Sequence, residues 1–331
     1  MAGPDPAVAD TRRAVRAVLG AATPDRVIVA VSGGADSLAL LAATTFEAAS
    51  PRSASWPHVF GVTVDHGLQD ESAVTAERVV AQMVALGADE TATIRVRVDV
   101  APGGLEAGAR QARYAALGEF AARVGASMVL LGHTRDDQAE TVLMGLTRGS
   151  GGRSMAGMRP SFDEDGVHFV RPFLDITRSQ TEAACRALGL EWWEDPHNRD
   201  QRFLRARLRH VVLPLLEDEL GPGFADALAR TAPALRVDMD ALDDLAAEWS
   251  RTHSELDTRS LADLPAAIRT RVLRAAAVAA GAIDSELTRE HVLAIDSLVT
   301  DWRGQRYIDL PGSIRATRTG GLVEFRRPAQ P

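Results

Sequence analysis

The sequence predicts an α/β fold: a doubly wound parallel sheet, then a second, mainly helical domain that ends in a β-hairpin. Three observations predict it. Four β-branched, apolar runs, at 27–31, 59–64, 94–98 and 128–131, are each followed by a helix-like stretch, and they begin 32 to 35 residues apart. That is the rhythm of βαβ units, which build parallel sheets with helices on both faces. The turns that suit a ligand, SGGADS, DHG and GHTRDDQAE, all fall after such runs, and a parallel sheet binds its ligands at the carboxyl ends of its strands. From Phe224 the texture changes to ADALARTAPALRVDMDALDDLAAEWS, with apolar residues at helical spacing and acids between them.

The first run, VIVAV, is apolar almost throughout, as a strand covered on both faces is, and the residues from Leu38 onward suit a helix. Between them lies Ser32-Gly33-Gly34-Ala35-Asp36-Ser37. Paired glycines let the backbone approach a ligand, and a helix start presents unpaired N–H groups and the positive end of its dipole. Ser32 and Ser37 add hydroxyls, so the turn suits a phosphate chain. It matches neither the lysine-bearing NTPase loop nor the G-x-G-x-x-G dinucleotide fingerprint. Beyond the fourth run, 149–166 reads as a glycine-rich flap or surface loop followed by an acidic turn. A strand over 168–174 then leads to a helix beginning near Thr177. The hairpin is RYIDLPGSIRATRTGGLVEFRR, with turns at Pro311-Gly312 and Gly320-Gly321. These features divide the chain into domains 1–215 and 216–331.

Composition narrows the function. In 331 residues, 46% of them hydrophobic, there is no apolar run of membrane-spanning length and no basic-then-apolar leader. The expectation is a cytoplasmic protein with no membrane partner. Cys185 is the only cysteine, which excludes an internal disulfide, a cysteine-based zinc site or an iron–sulfur cluster built from this chain alone. It reads as a buried structural thiol. All 37 basic residues are arginines, so no lysine is available as a phosphate clamp or nucleophile. A net charge of −8 argues against indiscriminate nucleic-acid binding. RNA would have to be met locally, and 199–210 offers a place: Arg199, Arg202, Arg205, Arg207 and Arg209 against Asp200 alone, a local +4. On a helix, Arg202, Arg205 and Arg209 would share one face, and Trp192, Trp193 or Phe203 would offer a stacking surface.

Asp136, Asp137 and Glu140 crowd three acids into five residues at a helix opening. They read either as an ordinary acidic N-terminus or as a site for a cation, with Mg²⁺ and an ammonium as the candidates. Arg110 and Arg113 share a helical face, and a charge developing on phosphate would need arginines or Mg²⁺ to meet it. His133 suits a proton acceptor, a nucleotide contact or a structural role.

SGGADS is similar to the SGG-x-DS loop of the N-type ATP pyrophosphatases, the PP-loop superfamily, whose fold is the adenine nucleotide alpha-hydrolase-like sheet. Further motifs narrow the resemblance: ARQARYAAL (109–117), GHTRDDQAETVLMGLTRGSG (132–151), RPFLDITR (171–178) and WWEDPHNRDQRFLRARLRHVVLP (192–214). Over about 26–215 the chain resembles the tRNA(Ile)-lysidine synthase family. The resemblance implies that ATP, with Mg²⁺, activates the wobble cytidine of the isoleucine tRNA with a CAU anticodon, and that free lysine then displaces AMP at C2. It implies ATP binding by Ser32, Gly33, Gly34, Ala35, Asp36, Ser37, His66 and His133, and metal binding by Asp36 and Asp137. Catalytic roles fall to Asp36, Arg113, Asp137, Glu140 and Arg205, with Glu140 toward the substrate amine. The tRNA is assigned to Arg199, Arg202, Arg205, Arg207 and Arg209. A tRNA thiolase of the same superfamily lacks its cysteines here. A small-molecule PP-loop ligase and a non-catalytic nucleotide-binding module stay as alternatives, and a homodimer stays open.

Overall fold

The computed structural model describes residues 3–50, 57–65, 72–97, 105–148, 151–194 and 200–328. His66 and Arg199 lie outside the described residues. The chain forms two compact units, Met1–Thr141 with Met158–Ala229, and Val142–Gly157 with Arg230–Pro331.

The first unit runs α1 (Pro6–Ala22), β1 (Arg26–Ala30), α2 (Ala35–Ala48), β2 (His58–Asp65), α3 (Ser72–Ala85), β3 (Glu90–Arg95), α4 (Leu105–Val124) and β4 (Met128–Leu130). The start of α5 (Arg135–Arg148) follows; after the segment given to the second unit come β5 (Ser161–Glu164), β6 (Val167–Val170), α7 (Arg178–Ala187), α8 (Leu204–Arg207) and α9 (Leu213–Leu220). The strand order is β3-β2-β1-β4-β6-β5, parallel throughout except for β5, which pairs antiparallel with β6. Alternation sorts the side chains. Val27 and Val29 join one buried cluster with α1, α2 and α7, whereas Ile28 joins Tyr114, Leu117 and Ala121 of α4 on the other face. Leu38, Leu40 and Leu41 of α2 are fully buried, and each such side chain contributes about 1.5–3 kcal/mol of transfer free energy.

Two strands depart from expectation. The third lies at Glu90–Arg95, ahead of the 94–98 run, because an edge strand with one half-exposed face carries Glu90, Thr91 and Thr93 instead of an unbroken apolar run. The acidic turn after the glycine-rich loop is one arm of a hairpin, β5, which adds an antiparallel edge to the sheet.

The second unit holds most of α10 (Phe224–Thr252), with α11 (Thr258–Ala262), α12 (Ala266–Ala279) and α13 (Arg289–Thr300). Leu261, Leu273, Ile295, Leu298 and Ala316 centre its core. Asp257 and Thr288 cap α11 and α13 by accepting backbone N–H bonds, and Arg269 forks onto Asp296 between α12 and α13. The expected hairpin is a three-stranded antiparallel meander, β7 (Ile308–Leu310), β8 (Ile314–Thr319) and β9 (Leu322–Arg326). Part of the glycine-rich segment forms a short helix, α6 (Gly152–Met155). Arg153 forks onto Asp243 of α10 at 2.7 and 2.8 Å, and Arg236 donates to the carbonyls of Ala156 and Gly157, so this stretch is fastened within its unit. Among the described residues no helix is long and apolar enough to cross a membrane.

Candidate active site

The β1–α2 turn is shaped by its own side chains. Gly33 takes φ +84°, and a Cβ there would lie 2.7 Å from Val79 Cγ2, so both conformation and space require glycine. The Ser32 N–H donates to Ser37 Oγ at 3.1 Å, Ser37 Oγ donates to the Gly34 carbonyl at 2.9 Å, and the two hydroxyl oxygens lie 3.2 Å apart. The Trp193 N–H donates to the Gly33 carbonyl at 2.9 Å, which holds the outer edge of the turn. Gly34 occupies the N-cap of α2 and supplies no side-chain cap. The first-turn N–H groups of a 14-residue helix are therefore left without a capping side chain, with the dipole behind them. This arrangement can hold an anion.

β1 and β4 are neighbours, and α2 and α4 pack on opposite faces of the sheet. Ligands of open α/β sheets bind in the crevice at such a switch point. Gly132, just beyond β4, comes so near that a Cβ would lie 3.2 Å from the backbone of Asp36 and Ser37. The two sequence motifs thus meet, and α5 delivers its acids beside the anion turn.

Thr134 immediately precedes α5, and Asp137, three residues on, reaches back: its Oδ2 accepts from the Thr134 N–H at 2.8 Å and from Thr134 Oγ1 at 2.9 Å. Its Oδ1 accepts from Arg178 Nη2 at 2.8 Å and Arg209 Nη2 at 3.1 Å. Glu140, fully buried, receives a fork from Arg209, Nε to Oε1 at 2.7 Å and Nη2 to Oε2 at 3.1 Å, with Arg178 Nη1 at 3.8 Å. Asp36 accepts from Thr181 Oγ1 and from Arg178 Nε at 3.4 Å. Asp136 stands apart from the others, accepting the Arg178 backbone N–H at 2.8 Å at the start of α7. Arg178 is thus the hub of the acidic group.

Burial shapes the charges. It pushes the Asp36 carboxyl up to about 6, with Asp137 adding to the push and Arg178 and Thr181 opposing it. Burial also raises Glu140, against the pull of Arg209. At Asp137 burial would do the same, but Arg178, Arg209 and the Thr134 N–H outweigh it and hold the carboxyl below the usual range. Burial would loosen the Arg178 proton, yet Asp137, Asp36, Glu140 and Asp136 hold it above the ordinary arginine value. Asp36 and Asp137 supply hard oxygens of the kind Mg²⁺ takes alongside phosphate oxygens and water. Among the described residues no three His, Cys, Asp or Glu side chains are grouped to hold a metal, so such an ion would draw further ligands from the nucleotide.

A second cluster carries positive charge. Arg171 is buried, and among the described residues its partners are neutral: the Arg159 carbonyl at 2.6 Å, Tyr114 Oη at 3.3 Å, His133 Nδ1 at 3.3 Å and the Phe162 ring. Arg113 and Arg110 lie over Tyr114, and Arg113 Nε is buried without a hydrogen-bond partner among the described residues. Burial and the charges of Arg110 and Arg205 lower the Arg113 value. Because His133 Nδ1 accepts from Arg171, the remaining ring proton sits on Nε2. Burial and the surrounding arginines push its pKa far down, so this imidazole is a neutral donor.

The basic stretch does not form one helical face. Asp200 accepts the Arg202 N–H at 3.0 Å and forks with its guanidinium, an Asx turn that delays α8 to Leu204 and leaves Arg202 outside it. Arg202 and Arg207 are exposed, Arg205 is half-buried, and Arg209 points to Glu140. Trp192 packs against the core cluster beneath Arg186. Sequence reasoning assigned no role to Arg178, Arg171, Thr181 or Thr134. A signal for Arg178 was present: Thr177 and Gln180 make a capping box, which fixes Arg178 as the first residue of α7, just past the strand beside β4.

The strand order, the glycine–serine anion turn at the switch point and the acids facing it define a protein of the PP-loop class, and a family model described as PP-loop domain matches residues 8–216. A second, described as TilS substrate binding domain, matches 256–320. The chain belongs to the tRNA(Ile)-lysidine synthase family. It is 51% identical over 328 residues to the tRNA(Ile)-lysidine synthase of Thermobifida fusca (strain YX), covering 98% of each chain. It is 46% identical over 360 residues to that of Streptomyces coelicolor, covering 98% of this chain and 99% of the relative. Among solved structures, the U34-tRNA thiolase NcsA from Methanococcus maripaludis shares the fold, with a TM-score of 0.56 at 18% identity over 69% of this chain and 79% of that one.

Proposed function

We propose that this protein uses ATP to join free lysine to C2 of the wobble cytidine in the CAU-anticodon tRNA(Ile), through an adenylated cytidine, releasing AMP and pyrophosphate. The observation that carries the reading is the meeting of the uncapped start of α2 with the acids of α5 across Gly132. It brings an anion cradle and a cation site together, as a reaction between a nucleotide and an amine requires. Family membership supports the choice of RNA and amine.

In this reading Ser32, Gly33, Gly34, Ala35 and Ser37 wrap the phosphates by backbone N–H and hydroxyl groups. Asp36 and Asp137 would hold Mg²⁺, which would supply charge neutralisation on the phosphate oxygens. Arg113 and Arg171 would supply charge-assisted hydrogen bonds to the negative charge that develops as the base oxygen is activated, and in a dry pocket such bonds count for more than in water. His133 donates from Nε2 and so positions a nucleotide or base acceptor; it does not take up the amine proton. Glu140 receives the lysine ammonium, and Arg205 and Arg207 take RNA phosphates. Cys185 is buried, donates to the Ala35 carbonyl at 3.3 Å, and has no part in the chemistry. With one cysteine in the sequence, cysteine-based sulfur delivery by this chain does not arise.

The test incubates the protein with Mg-ATP, isotopically labelled lysine and unmodified CAU-anticodon tRNA(Ile). Acid-stable label in the RNA, dependent on all three components, is the expected result. ATP–pyrophosphate exchange driven by a small acid without tRNA would replace the reading with a small-molecule ligase, and nucleotide binding without turnover would replace it with a sensor.

A further inference from the structure

One arginine of the basic stretch faces inward. Arg209 lies in a five-residue π-helical turn, Leu208–Val212, between α8 and α9. Its fork occupies both oxygens of Glu140 and touches Asp137. Glu140 is fully buried and Arg178 Nη1 lies 3.8 Å from the same Oε1, so an ammonium arriving at this carboxylate finds its best positions filled. A planar guanidinium on a carboxylate is a strong, geometrically specific pair. Removing it without replacement would strand a buried charge. Any exchange must therefore be cation for cation.

Two features make the exchange feasible. The Arg209 side chain keeps 24% exposure, which leaves it a route toward solvent. A π-turn is a rare local structure that recurs at functional sites. Arg209 lies within the turn, so relaxation toward α geometry would change the direction of its side chain. Arg205 and Arg207 precede it on the same rod, and a phosphate is an acceptor that competes with carboxylate for a guanidinium fork.

We propose that Arg209 is a specificity-determining residue that stands in for the substrate ammonium on Glu140, and that an RNA phosphate at the α8 stretch draws it away, opening the carboxylate to lysine only when RNA is bound. This rests on the reading of lysine and tRNA as substrates. The amine is thereby kept from the ATP phosphates until a base is in place to receive it.

The experiment measures binding of labelled lysine by equilibrium dialysis, using the full chain with and without unmodified CAU-anticodon tRNA(Ile), for the wild type, Arg209→Gln and Arg209→Lys. ATP affinity serves as the control for folding. In the wild type, RNA should tighten lysine binding about ten- to a hundredfold, the range set by one charged hydrogen-bonded pair. Arg209→Gln should bind lysine tightly without RNA and gain less than about threefold from it, since no internal cation is left to displace. Arg209→Lys, which restores a point charge without the fork, should recover part of the RNA dependence. A purely structural Arg209 predicts the reverse: lysine binding weakened in Arg209→Gln, or still tightened by RNA, either of which overturns the proposal while leaving the reaction intact. Absence of lysine binding in all three proteins under every condition would overturn both the proposal and the reading beneath it.

Discussion

Asp36→Asn should make the protein more stable at pH 8 while abolishing ATP turnover. Asp36 keeps only 21% of its side-chain exposure and shares Arg178 with Asp137, and burial lifts its carboxyl from 3.8 to about 6. The sign follows from linkage. Well below pH 3.8 the group is protonated folded and unfolded alike; as pH rises the unfolded chain ionises first, so stability is lost until the folded group has also ionised, above about pH 6. A shift of about two units corresponds to ~3 kcal/mol, an upper bound because the side chain is not wholly dry. Asparagine keeps an acceptor for Thr181 and sheds the charge. The variant should therefore melt higher than wild type by roughly 5–10 °C at pH 8, at about 2–4 °C per kcal/mol for a unit of this size. The gap should narrow as pH falls through about 6 and close only below about pH 4, under the unfolded value. Calorimetry across about pH 3.5–8.5 with chelator present reads the difference between the proteins, which cancels the other titrating groups. A variant that melts lower at pH 8, or a gap independent of pH, would mean that the Arg178 contact outweighs burial, and the argument for a poised Asp36 would fail.

Two further outcomes follow from local geometry. Gly33→Ala meets both a positive φ of +84° and a 2.7 Å approach to Val79 Cγ2, so it should cost about 1–3 kcal/mol and remove ATP binding in a calorimetric titration; normal ATP affinity would refute the role given to the turn. Burial pushes the Cys185 thiol up to about 12, so at pH 8 a thiol-alkylating reagent should leave the native protein unlabelled and react only after denaturation.

The buried parts of the fold were legible and the edges were not. β1 announces itself because both its faces are covered at Val27, Ile28 and Val29, which forces apolar residues at those consecutive positions. β3 and β5 are edge strands with half-exposed faces, so Thr91, Thr93 and Asp163 write no hydrophobic run. At the site, residue type and spacing revealed which charges gather: Asp36, Asp137 and Glu140 do lie around one arginine. What spacing lacks is direction. Arg209 reads as one more cation of the basic stretch, and only the π-turn and the buried Glu140 show that it points inward. Asp200 likewise counts as one negative charge in the sequence, yet its side chain sets where α8 begins.

Asp137 has a consequence for how the site comes into being. The carboxylate that meets Arg178 and Arg209 through one oxygen spends the other on closing the first turn of its own helix. Its orientation is inherited from the winding of α5, so this acid is preorganised before any ligand arrives and need not be reoriented during turnover. The same economy ties durability to chemistry: an exchange that erases this carboxylate frays the helix start as well, and a dead enzyme so obtained says little about which duty was lost.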